Sequence, residues 1–189
     1  MRYSSSHKEE TRRKLIESSR AIAKQDGFAS TGVDALMASI GLSGAAFYTH
    51  FPSKQALFDA LVSEEASNSA DLLASDENAP NGDLAKRLRS YLSTAHALHP
   101  ETGCALPTLG AEIARATPEA RAEVEKSLKR IQKSWGSQID EPETAWAVIA
   151  QCVGALVLAR AVESDRTRRD ILASSRRFLA EALELDKLK

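Results

Sequence analysis

Between Thr31 and His50 the chain starts a helix, stops it and starts another. That punctuation limits what its N-terminal part can become. Thr31 with Asp34 three residues on has the spacing of a capping box, which marks a helix start. Val33, Leu36, Met37 and Ile40 then fall at i, i+3, i+4 and i+7, one face of a helix about two turns long. Gly41 supplies a left-handed stop. After Leu42, Ser43 offers a cap for a second short helix from Gly44 to His50, and Pro52-Ser53 breaks that one in turn. A helix this short has little stability of its own, so its presentation has to serve something.

Two short helices across a three-residue turn have the dimensions of a helix-turn-helix, whose second helix enters the DNA major groove while the first crosses the backbone. Phe47 and Phe51 are placed to pin the second helix against the first, which leaves Ser43, Gly44, Ala45, Tyr48 and Thr49 outward. Cations stand where helix electrostatics disfavours them: Lys54 in the first turn of the next helix, and Arg12, Arg13 and Lys14 early in the first. Each forgoes a few tenths of a kcal/mol, up to about 1. An anion docked at those helix starts reverses the sign. Tyr48, His50 and Lys54 therefore read as a phosphate clamp. The plainer reading is a buried, hydrogen-bonded His50 and a surface lysine. Charge agrees weakly with the clamp: residues 1–60 hold eight Lys or Arg against six Asp or Glu, although the whole chain has a net charge of −1. A mildly basic head on an acidic body suits an anionic partner bound at one end.

The rest of the pattern is helical. A loose arm is expected over residues 1–7, a first helix from Lys8 to Gln25 ended by Asp26-Gly27, and a fourth carrying Leu57, Phe58, Leu61 and Val62. Ser75 to Asp83 reads as a loop. Leu84 to Leu98 make a fifth helix and Cys104 to Arg115 a sixth. Thr117-Pro118 opens a seventh with Val124, Leu128, Ile131 and Trp135 on one stripe. Pro142 opens an eighth, and the Thr167 and Asp170 spacing a ninth. The fold class is all-α: about nine helices, with a DNA-binding head over residues 1–54 and a body over 55–189. The apolar run Ala145 to Ala159 is interrupted by Gln151 and Gly154, short of a membrane span. No signal-peptide pattern stands at residues 1–14, and Cys104 and Cys152 form no disulfide framework, so a soluble, cytoplasmic, reduced protein is expected.

Phe28-Ala29-Ser30-Thr31, Val33, Ile40-Gly41-Leu42-Ser43, Phe47-Tyr48-Thr49-His50-Phe51, Lys54 and Leu57 together resemble the TetR/AcrR family of bacterial transcriptional regulators, over about residues 9–65. The resemblance implies that Thr31, Tyr48, His50 and Lys54 touch phosphates and that residues 43–49 approach the bases. Many members carry a basic residue and then glycine after the capping serine. Here Gly44-Ala45 stands instead, which points to apolar contact with thymine methyls and to DNA shape. The resemblance also implies a body that binds a small-molecule effector and dimerises through its last two long helices.

The residues of the body agree with a homodimer. The eighth helix is apolar on nearly all sides, so it must be covered on more than one. Cys152, Leu156, Ile171, Phe178 and Leu179 are its candidate interface residues, in a four-helix contact. Candidate effector-pocket residues are Tyr91, His96, Cys104, Leu109, Ile113, Trp135 and Trp146. His96 and His99 with Cys104 lack a recognised zinc spacing, and neither metal nor cofactor is expected. The function this supports is a repressor released from a palindromic double-stranded operator by a small molecule. One alternative is a regulator sensing electrophiles through Cys104. A helical carrier or an enzyme without DNA binding is the other, although no nucleophile elbow, phosphate loop or HExxH is present.

Overall fold

The computed structural model describes residues 5–74, 83–139 and 141–185. Among them are nine α-helices, two 3-10 helices and no strand. The expected loop over 75–83 lies, but for Asp83, outside the described residues.

α1 (Ser5–Asp26) already includes part of what reads as an arm. Leu15, Ser19 and Ala23, one helical turn apart, form its buried stripe with Ile16. Gly27, at φ +81, turns the chain out of the helix. α2 (Val33–Ala38) starts on Gly32, not on Thr31. The Thr31 hydroxyl instead donates back to the Gly27 carbonyl at 3.1 Å, so it locks the preceding turn. Gly41, at φ +74, makes the expected stop. The second helix of the motif is a 3-10 segment, Gly44–Thr49, and Ser43 precedes it without a side-chain cap. Small residues at Gly44, Ala45 and Ala46 tolerate the eclipsed i, i+3 geometry of 3-10 winding. Phe47 and Phe51, 0% and 2% exposed, anchor the segment as the spacing predicts.

α3 (Lys54–Leu73) begins on Ser53, whose hydroxyl accepts the Ala56 N–H. At 1.5 Å per residue it is about 30 Å long and so runs from the head deep into the body. The body comprises α4 (Asp83–Tyr91), α5 (Thr94–Leu98), a 3-10 turn (Pro100–Thr102), α6 (Leu106–Ile113), α7 (Pro118–Gly136), α8 (Thr144–Ala161) and α9 (Asp165–Ala182). The expected fifth helix is broken at Ser93, whose hydroxyl accepts the His96 N–H and so competes with continued winding. Thr117 caps α7 as expected, accepting the Ala120 N–H. α9 is capped one turn earlier than expected, by Ser164 on the Thr167 N–H.

Two apolar clusters organise these helices. The first joins Leu15, Phe47, Leu57 and Leu61 to Leu109 of α6 and to Ala120 and Val124 of α7, so head and body share a core. The second gathers α4, α7, α8 and α9 around Leu88, Trp135, Val148 and Leu172. α8, with 18 residues and a mean hydropathy of 1.6, reaches the length and composition of a membrane helix after all. Its apolar residues Ala145, Val148, Cys152, Ala155, Leu156 and Ala159 pack into the second cluster.

Candidate nucleic-acid interface and its link to the body

With Phe47 inside, the next residue has to face out. Tyr48 is 68% exposed, and its ring stands edge-on to Phe47 at 5.3 Å. Ser43, Ala45 and Thr49 are exposed beside it. The Thr49 hydroxyl is turned back onto the Ala46 carbonyl. Gly44 is half-buried for a specific reason: a Cβ there would lie 1.8 Å from the Asp34 Oδ1. The position without a long base-reading side chain is thus one where the Asp34 carboxylate crowds the backbone.

His50 is half-buried, with its Nδ1 buried and unpartnered. Burial holds it below its ordinary value, and the charges of Lys8, His7 and Arg12 push the same way. The neutral imidazole is therefore surrounded by cations from the start of α1. Arg12 lies over the Phe51 ring at 4.6 Å. Lys54 does not hang free: its ammonium donates to the Ala29 carbonyl at 3.0 Å and lies 4.9 Å from the centre of the Phe28 ring. A lysine ammonium has three donors, so this contact orients Lys54 and leaves capacity for an anion.

Two carboxylates absent from the sequence reading tie the head to the body. Glu112 of α6 receives both N–H groups of the turn after α1, Phe28 N on Oε1 at 3.0 Å and Ala29 N on Oε2 at 2.9 Å. Glu65 of α3, 3% exposed, pairs with two α1 cations, Arg20 at 2.9 Å and Lys24 at 3.1 Å. Lys24 also donates to the Gly103 carbonyl. Glu65 was detectable in the sequence, as the one charge on the stripe of Leu57, Leu61 and Val62. Glu112 gave no such signal, because its partners are backbone groups.

The expected pocket residues separate. Leu109 and Ile113 line a narrow space of about 20 Å³ between α3, α6 and α7. Tyr91, Cys104 and Trp135 border a second of about 10 Å³, together with Cys152. The Trp135 indole N–H donates to the Leu73 carbonyl. His96 accepts the Cys104 N–H on Nε2 and bonds the Tyr91 carbonyl through Nδ1, which makes Nδ1 the protonated nitrogen. With both nitrogens engaged, it is a structural brace. Cys104 is buried and sits two residues ahead of α6. Burial pushes the Cys152 thiol up to about 12. Trp146 lies outside both spaces, 44% exposed on the outer face of α8.

The expected interface residues divide in the same way. Cys152, Leu156 and Leu179 are at most 2% exposed within the single chain, and Ile171 is half-buried against the same core. On α8 and α9 the large apolar groups left outward are Trp146, Val157, Leu158 and Phe178. The sequence pattern could not sort those on α8, which is apolar all round.

A family model described as bacterial regulatory proteins, tetR family, matches residues 15–61. A search of curated proteins finds no match in sequence. Among solved structures, a TetR transcriptional regulator from Legionella pneumophila is 17% identical with a TM-score of 0.71, covering 97% of this chain and 100% of that one. A regulator from Saccharomonospora viridis in complex with choline is 16% identical with a TM-score of 0.71, covering 90% and 96%. The reduced form of NemR from E. coli is 21% identical with a TM-score of 0.64, covering 88% and 96%. At these identities the likeness is one of fold.

Proposed function

We propose that the chain, whose residues 15–61 match the tetR family model, is a transcriptional repressor that holds a palindromic operator as a homodimer and lets go when a small molecule enters the body. The observation that carries this is the 3-10 segment with Phe47 and Phe51 inside and Ser43, Ala45, Tyr48 and Thr49 outside, flanked by Lys8, Arg12, His50 and Lys54. Residues 43–49 meet base edges, and Thr31, Tyr48, His50 and Lys54 meet phosphates. The head, residues 1–54, is a functional unit more than a packing unit, since its core continues into α6 and α7. Catalysis, a membrane role and a cofactor are not part of this reading.

The dimer surface in this reading is the outward apolar face of α8 and α9. Two heads related by a two-fold axis then read an inverted repeat with half-sites about 34–36 Å apart or a multiple of it. Selection of bound sequences from random duplex DNA, followed by footprinting, tests this. An inverted repeat bound with steep salt dependence supports it. A single asymmetric footprint, or no salt-dependent binding to any duplex, overturns it.

A thiol-based trigger at Cys104 is the second reading. In its favour, Cys104 borders the same internal space as Tyr91 and Cys152. Release of DNA by a reversible effector that persists in Cys104→Ser would exclude it.

A further inference from the structure

The two internal spaces adjoin, sharing Leu106, Leu128 and Ile131 as a common wall. Their lining is mostly apolar, with Ser69 and Ser127 on one and the Cys104 and Cys152 thiols on the other, and two polar groups decide what a guest must satisfy. One is Tyr91. Its side chain is 4% exposed, its ring stands edge-on to His96 at 4.6 Å, and its buried hydroxyl finds no oxygen or nitrogen partner, only the nearby Cys104 thiol, a weak acceptor. Burial and the nearby Cys104 hold the phenol well above its ordinary value, so it is a neutral donor. A buried hydroxyl with no partner forfeits the bonds it makes in water. Among the described residues it is the one hydroxyl on this space left without an oxygen or nitrogen partner. The other point is Glu65, whose carboxylate is already held by Arg20 and Lys24.

These two points restrict a guest. One carboxylate between two cations carries no spare negative charge, so a cationic guest finds no counter-ion. An anionic guest would be desolvated among Leu106, Leu128 and Ile131 with no free cation lining either space. A purely hydrocarbon guest would leave the Tyr91 hydroxyl unsatisfied.

Resting on the regulator reading above, we propose that the effector is a compact, uncharged, largely apolar ring compound with one carbonyl oxygen, which accepts the Tyr91 hydroxyl hydrogen. As they stand the two spaces, about 20 and 10 Å³, each hold no more than about one water. A ring seats itself by parting α6 from α7, and α6 carries Glu112, the residue that holds the turn after α1.

The probes are four fluorinated rings of similar size, followed by fluorine NMR on the full chain: 4-fluoroacetophenone, 4-fluoroethylbenzene, 4-fluorobenzoate and 4-fluorobenzylammonium. The ketone should bind about 2–10-fold more tightly than the hydrocarbon, the range of one net hydrogen bond, and the two charged rings should bind more weakly than either. Tyr91→Phe should erase the preference and, by removing an unsatisfied group, raise the melting temperature without ligand. Leu106→Phe, which fills the shared wall, should weaken both neutral probes and locates the site even if Tyr91→Phe folds poorly. A ketone preference that survives Tyr91→Phe overturns the proposal. So does a charged ring that binds as well as the ketone, unchanged binding in Leu106→Phe, or no ketone binding at millimolar concentration. Duplex binding measured on the same samples separates the two readings: DNA binding without ketone selectivity sinks the effector class alone, and ketone selectivity without DNA binding sinks the regulator.

Discussion

Replacing Glu112 by alanine is expected to loosen the head from the body without touching either core. The carboxylate accepts two backbone N–H groups, at 3.0 and 2.9 Å, from Phe28 and Ala29. Hydrogen bonds to a charged group contribute about 1.5–3 kcal/mol each when the alternative is an unsatisfied donor. Ala29 is exposed, so water replaces its bond at little loss. Phe28 is 4% exposed, and its N–H is the harder one to resatisfy. The net cost is therefore about 2 kcal/mol, one full bond and a fraction of the second. For a chain of this length each kcal/mol moves the melting temperature by roughly 2–4 °C, so a fall of about 4–8 °C is expected. The more specific readout is hydrogen exchange. The Phe28 and Ala29 amides should lose protection while those of α8 keep theirs, because the lesion opens the junction locally. Glu112→Gln retains one acceptor and should fall between wild type and alanine. A melting temperature within 1 °C of wild type (roughly 0.3–0.5 kcal/mol), with unchanged protection at Phe28 and Ala29, would refute the latch.

Other substitutions follow from the same geometry. Leu158→Glu and Phe178→Glu, at groups more than half exposed in the single chain, should give folded monomers by sedimentation. Leu156→Asp and Leu179→Asp place a carboxylate in a dry core and should lose several kcal/mol and unfold. Gly41→Ala forces a side chain onto φ +74 and should cost about 1–2 kcal/mol, read in thermal melts. His50 has a depressed value in the free protein, so its share of stability is lost as pH falls below the unfolded value of about 6.5. A phosphate alongside favours the protonated form. DNA affinity should therefore rise as pH falls through that range, and His50→Gln should flatten the profile at fixed salt.

What was legible in the sequence follows from which forces are local. Gly41, Phe47 and Phe51 act within a few residues of one another, so the motif's turn and its anchoring face could be read directly. Thr117-Pro118 worked for the same reason. Thr31 and Thr167 misled because capping residues are dense there: Gly32 and Ser164 stand close by, and spacing alone cannot say which residue takes the extended conformation. The split of the fifth helix at Ser93 is a single side-chain bond outbidding continued winding. Leu156, a candidate for the dimer interface, lies in the single chain's own core, because a helix apolar on every face carries no moment to orient it; Leu179 lies there too, on the buried stripe of the amphipathic α9.

Glu65 and Glu112 hold α1 and the turn after it, and their placement limits how the head can move against the body. Each reaches α1 or its following turn from a different helix, α3 and α6. Both helices also wall the space beside Leu109 and Ile113. Separation of these helices in the body therefore cannot leave α1 in place with both carboxylates engaged: one contact must stretch or the head must rotate. Glu65 makes the stiffer attachment, since breaking it would strand a buried charge at a cost of about 3–5 kcal/mol. The bonds to Glu112 cost less to break, about 2 kcal/mol, because water can replace the one to exposed Ala29. The head should thus stay with α3 and pivot away from α6. That pivot displaces Lys54 and the 3-10 segment together, because Lys54 opens α3 and is itself bonded to Ala29. In a dimer that must place two such segments in the groove at once, a small rotation of each is enough to spoil the register.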